Sequence, residues 1–147
     1  MDATATISVR LQGDPAAYKT ILCQKDGYVQ HVGALLVNHY NTFKKAIELI
    51  SLGDIAYLSE RACPSIVTYE AHSWETPAPG VTVAYGRDRG EQNVGPAHFR
   101  SLKDILNYNT WYDHAYVYEN RMWYKLTESS SSEAVLTPIF QLLKYPN

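Results

Sequence analysis

Two cysteines in 147 residues, Cys23 and Cys63, are too few for a disulfide framework. Each sits in an apolar setting, Ile21-Leu22-Cys23 and Ala62-Cys63-Pro64, so both read as buried free thiols of a cytoplasmic protein. No apolar run approaches the ~20 residues of a membrane helix, and Met1-Asp2-Ala3-Thr4-Ala5-Thr6 lacks the basic-then-apolar order of a secretory signal. HExxH, CxxC, GxSxG, P-loop and GxGxxG patterns are missing. The five histidines are scattered without metal-ligand spacing to the cysteines, so neither a metal nor a cofactor is expected. Neither sign of charge dominates: 13 Lys and Arg against 15 Asp and Glu leave a net charge of -2. That argues against duplex nucleic acid held by phosphate contacts and against an acidic nucleic-acid mimic, so any anion site has to be local.

What is present is enough to fold. With 46% hydrophobic residues the chain can bury the core of one ordinary domain. Thr6 to Leu11 alternates at the strand period, meets Gly13-Asp14-Pro15, and is followed by a second strand from Tyr18 to Gln24. Val29 to Tyr40 places Val32, Leu35, Leu36 and Tyr40 on one helical face. A second helix begins at an Asn41 or Thr42 cap and ends at Gly53. A capped turn over Asp54 to Leu58 is expected next, then strands over Ser65–Tyr69 and Val81–Tyr85 and a short helix from Ser101 to Asn107. The last hairpin joins Tyr116–Glu119 to Met122–Leu126 through Asn120-Arg121. The predicted class is α+β: an antiparallel sheet with two or three helices on one face and a short C-terminal helix. Residues 1–127 form the domain and 128–133 a serine-rich linker. Residues 134–147 form a docking helix, capped by Thr137 with Pro138 at its first position, that needs a partner for Ile139, Phe140, Leu142 and Leu143.

The chemistry concentrates in Tyr85-Gly86-Arg87-Asp88-Arg89-Gly90-Glu91, where an apolar strand ends in four charges around two glycines. Arg87 and Arg89 can each fork onto a phosphate or carboxylate, and Asp88 and Glu91 can fix them or accept from a base or hydroxyl. The competing reading of the same residues is a surface turn held by its own ion pairs. Tyr85 adjoins the arginines. His72 and Trp74, in Glu70-Ala71-His72-Ser73-Trp74-Glu75, and Tyr28, after the Asp26-Gly27 turn, are the further contact candidates. Aromatic residues are dense from Tyr108 to Tyr124, including Trp111 and Trp123, and can stack bases or serve as strand residues.

In their order, these features resemble a widespread family of small phage and prophage proteins. The matching positions include Cys23 through Asp26-Gly27-Tyr28, Ile50-Ser51-Leu52-Gly53-Asp54, His72-Ser73-Trp74 and Tyr85 to Glu91, so the likeness spans residues 4–126. The chain departs from it at Gln24-Lys25, where members often carry an aromatic or a His-Trp pair, and in the serine-linked tail. By analogy with phage proteins of this size, the resemblance implies an anti-defence role: a cytoplasmic homo-oligomer that sequesters a nucleotide-type immune signal, such as a cyclic oligonucleotide, without catalysis. A protein–protein inhibitor of a host factor docking through the tail is the alternative. A nucleotide-processing enzyme using Asp88, Glu91 and His72 is the third reading.

Overall fold

The computed structural model describes residues 3–108 and 112–143; Trp111 and the end of the tail, residues 144–147, lie outside them. The first hairpin forms as its alternation requires: β1 (Ala5–Arg10) pairs antiparallel with β2 (Tyr18–Cys23). Ala5, Ile7 and Val9 are fully buried in the main core. The intervening Ser8 lies on the opposite face and shares a buried hydroxyl–hydroxyl hydrogen bond of 2.7 Å with Thr20.

A wide helical turn, Val29–Gly33, leads into α1 (Ala34–His39), and α2 (Phe43–Ile50) follows with the Thr42 hydroxyl accepting from the Lys45 N–H as its cap. Gly53 ends this pair at φ 75, and a Cβ there would stand 2.3 Å from the Val94 carbonyl oxygen, so both conformation and space demand glycine. The two helices cross over the sheet, so β3 (Ile55–Tyr57) returns parallel to β2. The remaining strands are β4 (Val83–Ala84), β5 (Ala97–Phe99), β6 (His114–Glu119), β7 (Met122–Glu128) and β8 (Ala134–Pro138). Their order is β4-β3-β2-β1-β6-β7-β8, with β5 also on β2. Because β1 and β6 are parallel as well, the sheet is mixed, where an antiparallel one was expected.

Two further expectations change. Asp54 to Leu58 supplies strand β3, whereas 65–69 is an irregular turn. As expected, two helices share one face: α1 and α2, with the short C-terminal α5 (Ile139–Leu143), cover the main core, while α4 (Leu102–Tyr108) seals the other side with Ile105 against Tyr18, Val117 and Leu126. The serines form a turn, not a linker, in which Ser129 N donates to Glu133 O at 2.8 Å, so residues 134–138 add β8 to β7 as an edge strand. Pro138 ends that strand, where a missing N–H is tolerated. The tail therefore docks on its own domain, with Ile139 fully buried and Leu142 and Leu143 packed behind it, leaving Phe140 exposed. No helix among the described residues is long and apolar enough to cross a membrane.

Candidate functional site

The arginine motif is a helical turn rather than an open loop. Ala84 is extended, α3 (Tyr85–Arg89) coils immediately after it, and Gly90 closes the turn in the left-handed region at φ 74. The Asp88 carboxylate folds back to accept the Ala84 N–H at 2.8 Å, satisfying a donor at the start of the turn.

Around that carboxylate the side chains turn inward. Arg87 donates from Nε to Asp88 Oδ1 at 2.8 Å and from Nη2 to Oδ2 at 3.0 Å. It also reaches the carbonyl oxygens of Ala62 and Thr82, each at 2.6 Å. Nε2 of His72 lies 3.0 Å from Asp88 Oδ2, and its Nδ1 accepts the Ala78 N–H at 2.9 Å. An Nδ1 that accepts carries no proton, so the neutral ring has its hydrogen on Nε2 and donates it to Asp88. The side chains of His72 and Asp88 are 2% and 4% exposed. Burial works to raise the Asp88 pKa, but the hydrogen bonds from Arg87, Ala84 and His72 outweigh it and hold the carboxyl down at about 2. Burial likewise opposes the Arg87 charge, and the Asp88 carboxylate reverses it, so the net shift is upward.

This network clamps a segment with little regular structure. Arg61 N donates to Gly80 O, Thr82 N returns to Arg61 O, and the Arg61 guanidinium holds Glu70 bidentately at 2.7 and 3.0 Å. Residues 59 to 82 are thus secured by one isolated backbone bridge, Arg61 to Val81, and by side-chain hydrogen bonds. Arg87, Asp88 and His72, expected as ligand contacts, form the bolt of this brace, with polar atoms that have partners inside the chain.

Arg89 faces outward. Its guanidinium lies 4.5 Å from the Trp74 ring centroid and 5.2 Å from that of Tyr85, and it pairs with Glu91. With its side chain 48% exposed, it retains donors toward solvent. Tyr28 stands apart from all of these, its ring 6.0 Å from His31 at the entry to α1. Cys23 is buried as expected, but Cys63 is exposed.

The structure also brings together Arg10 and Arg121, which the sequence places in a strand and a hairpin turn without joining them in a site. Arg10 at the end of β1 and Arg121 in the β6–β7 turn line a cleft of about 440 Å³ with Tyr118, Glu119 and the start of α2. Its volume lies within the ~300–1,000 Å³ of small-molecule sites. Glu119 accepts the Tyr18 hydroxyl at 2.9 Å, and burial together with that carboxylate pushes Tyr18 up to about 12. Neither Arg10 nor Arg121 has an ion pair among the described residues. Through Asn41, Tyr118 and Arg121 the cleft continues into a 120 Å³ apolar pocket with Trp123, Met122 and Phe140. Asn120 and Arg121 both have positive φ, 53 and 64. A two-residue hairpin turn of that kind favours Asn-Gly, and an arginine there is held against its backbone preference. That departure from Asn-Gly was the one sequence signal that could have found the cleft.

Comparison with protein-family models, with curated proteins and with solved structures finds no match for this chain.

Proposed function

We propose that the protein binds a nucleotide-type anion without turning it over, and that the ligand lies in the cleft between the end of β1, the start of α2 and the β6–β7 turn. The observation carrying this reading is Arg121: a cation at φ 64, without an ion pair among the described residues, facing a cleft it shares with Arg10. Phosphate oxygens would take the two guanidinium groups. The base would enter the apolar pocket between Trp123 and Phe140. Binding without chemistry is favoured because both His72 nitrogens are engaged and Asp88 is paired with Arg87, which occupies two of the three residues that the enzyme reading would use. A cytoplasmic phage protein that sequesters an immune signal, as the family resemblance implies, needs no more than such a site, and a homo-oligomer would multiply it.

The test is calorimetric titration with a panel of cyclic di- and trinucleotides and linear mononucleotides, followed by denaturation and mass spectrometry of the released compound. Saturable binding that is lost in an Arg10→Ala, Arg121→Ala double variant, with the compound recovered intact, is the expected result. A cleaved product, or full affinity in the double variant, overturns the reading.

One observation favours a second reading, direct inhibition of a host protein. Ile66, Val67 and Tyr69 are 84%, 89% and 88% exposed on the braced loop, and clustered apolar exposure of this kind is a feature of docking surfaces. The tail, with Ile139 buried on its own domain, is no longer the docking element of choice.

A further inference from the structure

A second cavity opens towards the other end of the β6–β7 hairpin, away from the Asn120-Arg121 turn. It measures about 440 Å³ and is lined by Tyr28 and Gln30 at the entry to α1, His114 of β6, Lys125 and Thr127 of β7, and Thr137 of β8. Lys125 and Thr127 project from the same face of β7 by strand alternation, and Lys125 stands opposite Thr137 in the β7–β8 register. Two hydroxyls and two groups able to carry positive charge therefore converge on one space.

We infer that this cavity is an oxyanion site for a small phosphomonoester, with Lys125 and His114 as its cationic contacts and the Thr127 and Thr137 hydroxyls as its neutral donors. Lys125 has no carboxylate partner among the described residues. Nδ1 of His114 is buried and has no hydrogen-bond partner among the described residues, so nothing there competes for the ring. The adjacent carboxylate, Asp113, is taken up by the Thr4 N–H at 2.9 Å and the Thr4 hydroxyl at 3.3 Å. Burial, and secondarily Lys125, lowers the His114 pKa against the pull of Asp113, and burial lowers that of Lys125. Burial disfavours both groups as cations, and an arriving dianion would favour the charged form of each. A phosphomonoester offers three terminal oxygens to these donors, and the cavity leaves room for a metabolite-sized body beside Tyr28.

The experiment follows the His114 ring protons by NMR while inorganic phosphate is added to the full-length protein, with sodium chloride at matched ionic strength as control. Saturable shifts, with the His114 titration midpoint rising in phosphate, are expected. A Lys125→Met variant should weaken the effect at least tenfold, and Arg121→Ala should leave it unchanged, which separates this site from the arginine cleft. The wild-type titration decides the matter even if Lys125→Met fails to fold: no phosphate-specific response of His114 at millimolar phosphate overturns the inference. An equal response in Lys125→Met also overturns it.

Discussion

Arginine is used in two opposite ways in this molecule. In the brace, Arg87 has a carboxylate, two carbonyl oxygens and a buried histidine around it, and it joins three stretches of chain. In the cleft, Arg10 and Arg121 face open space with no ion pair among the described residues, and Arg121 does so from a backbone conformation that favours glycine. The residue type is the same; the state of its donors differs. A guanidinium whose donors are satisfied by a carboxylate and carbonyl oxygens contributes to stability, whereas one without an ion pair, gathered with another at a cleft, is available to an incoming anion.

The comparison breaks first at Asp88. Replacing it with Ala strands the Arg87 cation in a desolvated site and should cost about 3–5 kcal/mol, read from urea unfolding, while native protein retains nucleotide affinity. Its pH signature has a fixed sign. The folded pKa of about 2 lies below the ordinary 3.8, so the contribution is complete above the ordinary value and is lost as pH falls through the folded one. If Asp88→Ala instead abolishes binding at unchanged stability, brace and cleft have been assigned the wrong way round.

Ile139→Ala should be nearly as damaging, about 2–5 kcal/mol, because the side chain is fully enclosed between the entry to α1 and the sheet. Removing residues 129–147 should accordingly lower the melting temperature sharply by stripping β8 from β7. A truncated protein that melts like the full chain would restore the free docking helix.

Arg121→Gly sharpens the contrast from the other side. Glycine suits φ 64, so stability should rise by about 1 kcal/mol, while nucleotide binding should weaken by about 1.5–3 kcal/mol, the range for charge-assisted hydrogen bonds. Melting and calorimetry on the same preparation check both signs at once.

The smallest effect is expected at His114. Its folded pKa is lowered from 6.5 by burial first and Lys125 second. The unfolded chain therefore binds the extra proton, and stability falls as pH drops below 6.5 toward the folded value. His114→Gln should flatten that part of the melting-temperature profile, and phosphate should do the same in the wild type.

The fold was legible wherever a periodic pattern ran long enough. The β1–β2 and β6–β7 hairpins, α2 with its Thr42 cap and Gly53 stop, and α4 after Ser101 all lie where alternation and capping put them. Short segments were not legible. Ile55–Tyr57 is a strand because β2 and β4 flank it, and Ser65–Tyr69 is not one because no neighbour offers it a ladder. The tail was misread because Val135 and Leu136 fit an apolar helix as well as a strand, and only the free edge of β7 distinguishes them.

By itself the sequence determined the α+β class, its hairpins and capped helices, and the presence of an arginine-rich turn after an apolar strand, since these depend on local periodicity and backbone preference. Only the tertiary structure decided that the sheet is mixed, that Arg87 looks inward and that Arg10 meets Arg121 across a cleft. The reason is physical. Whether a charged side chain braces or binds depends on which acceptors come within about 3 Å of it. For Arg87 the neighbouring Asp88 was in view, but Ala62 O, 25 residues away along the chain, was brought to it only by the fold.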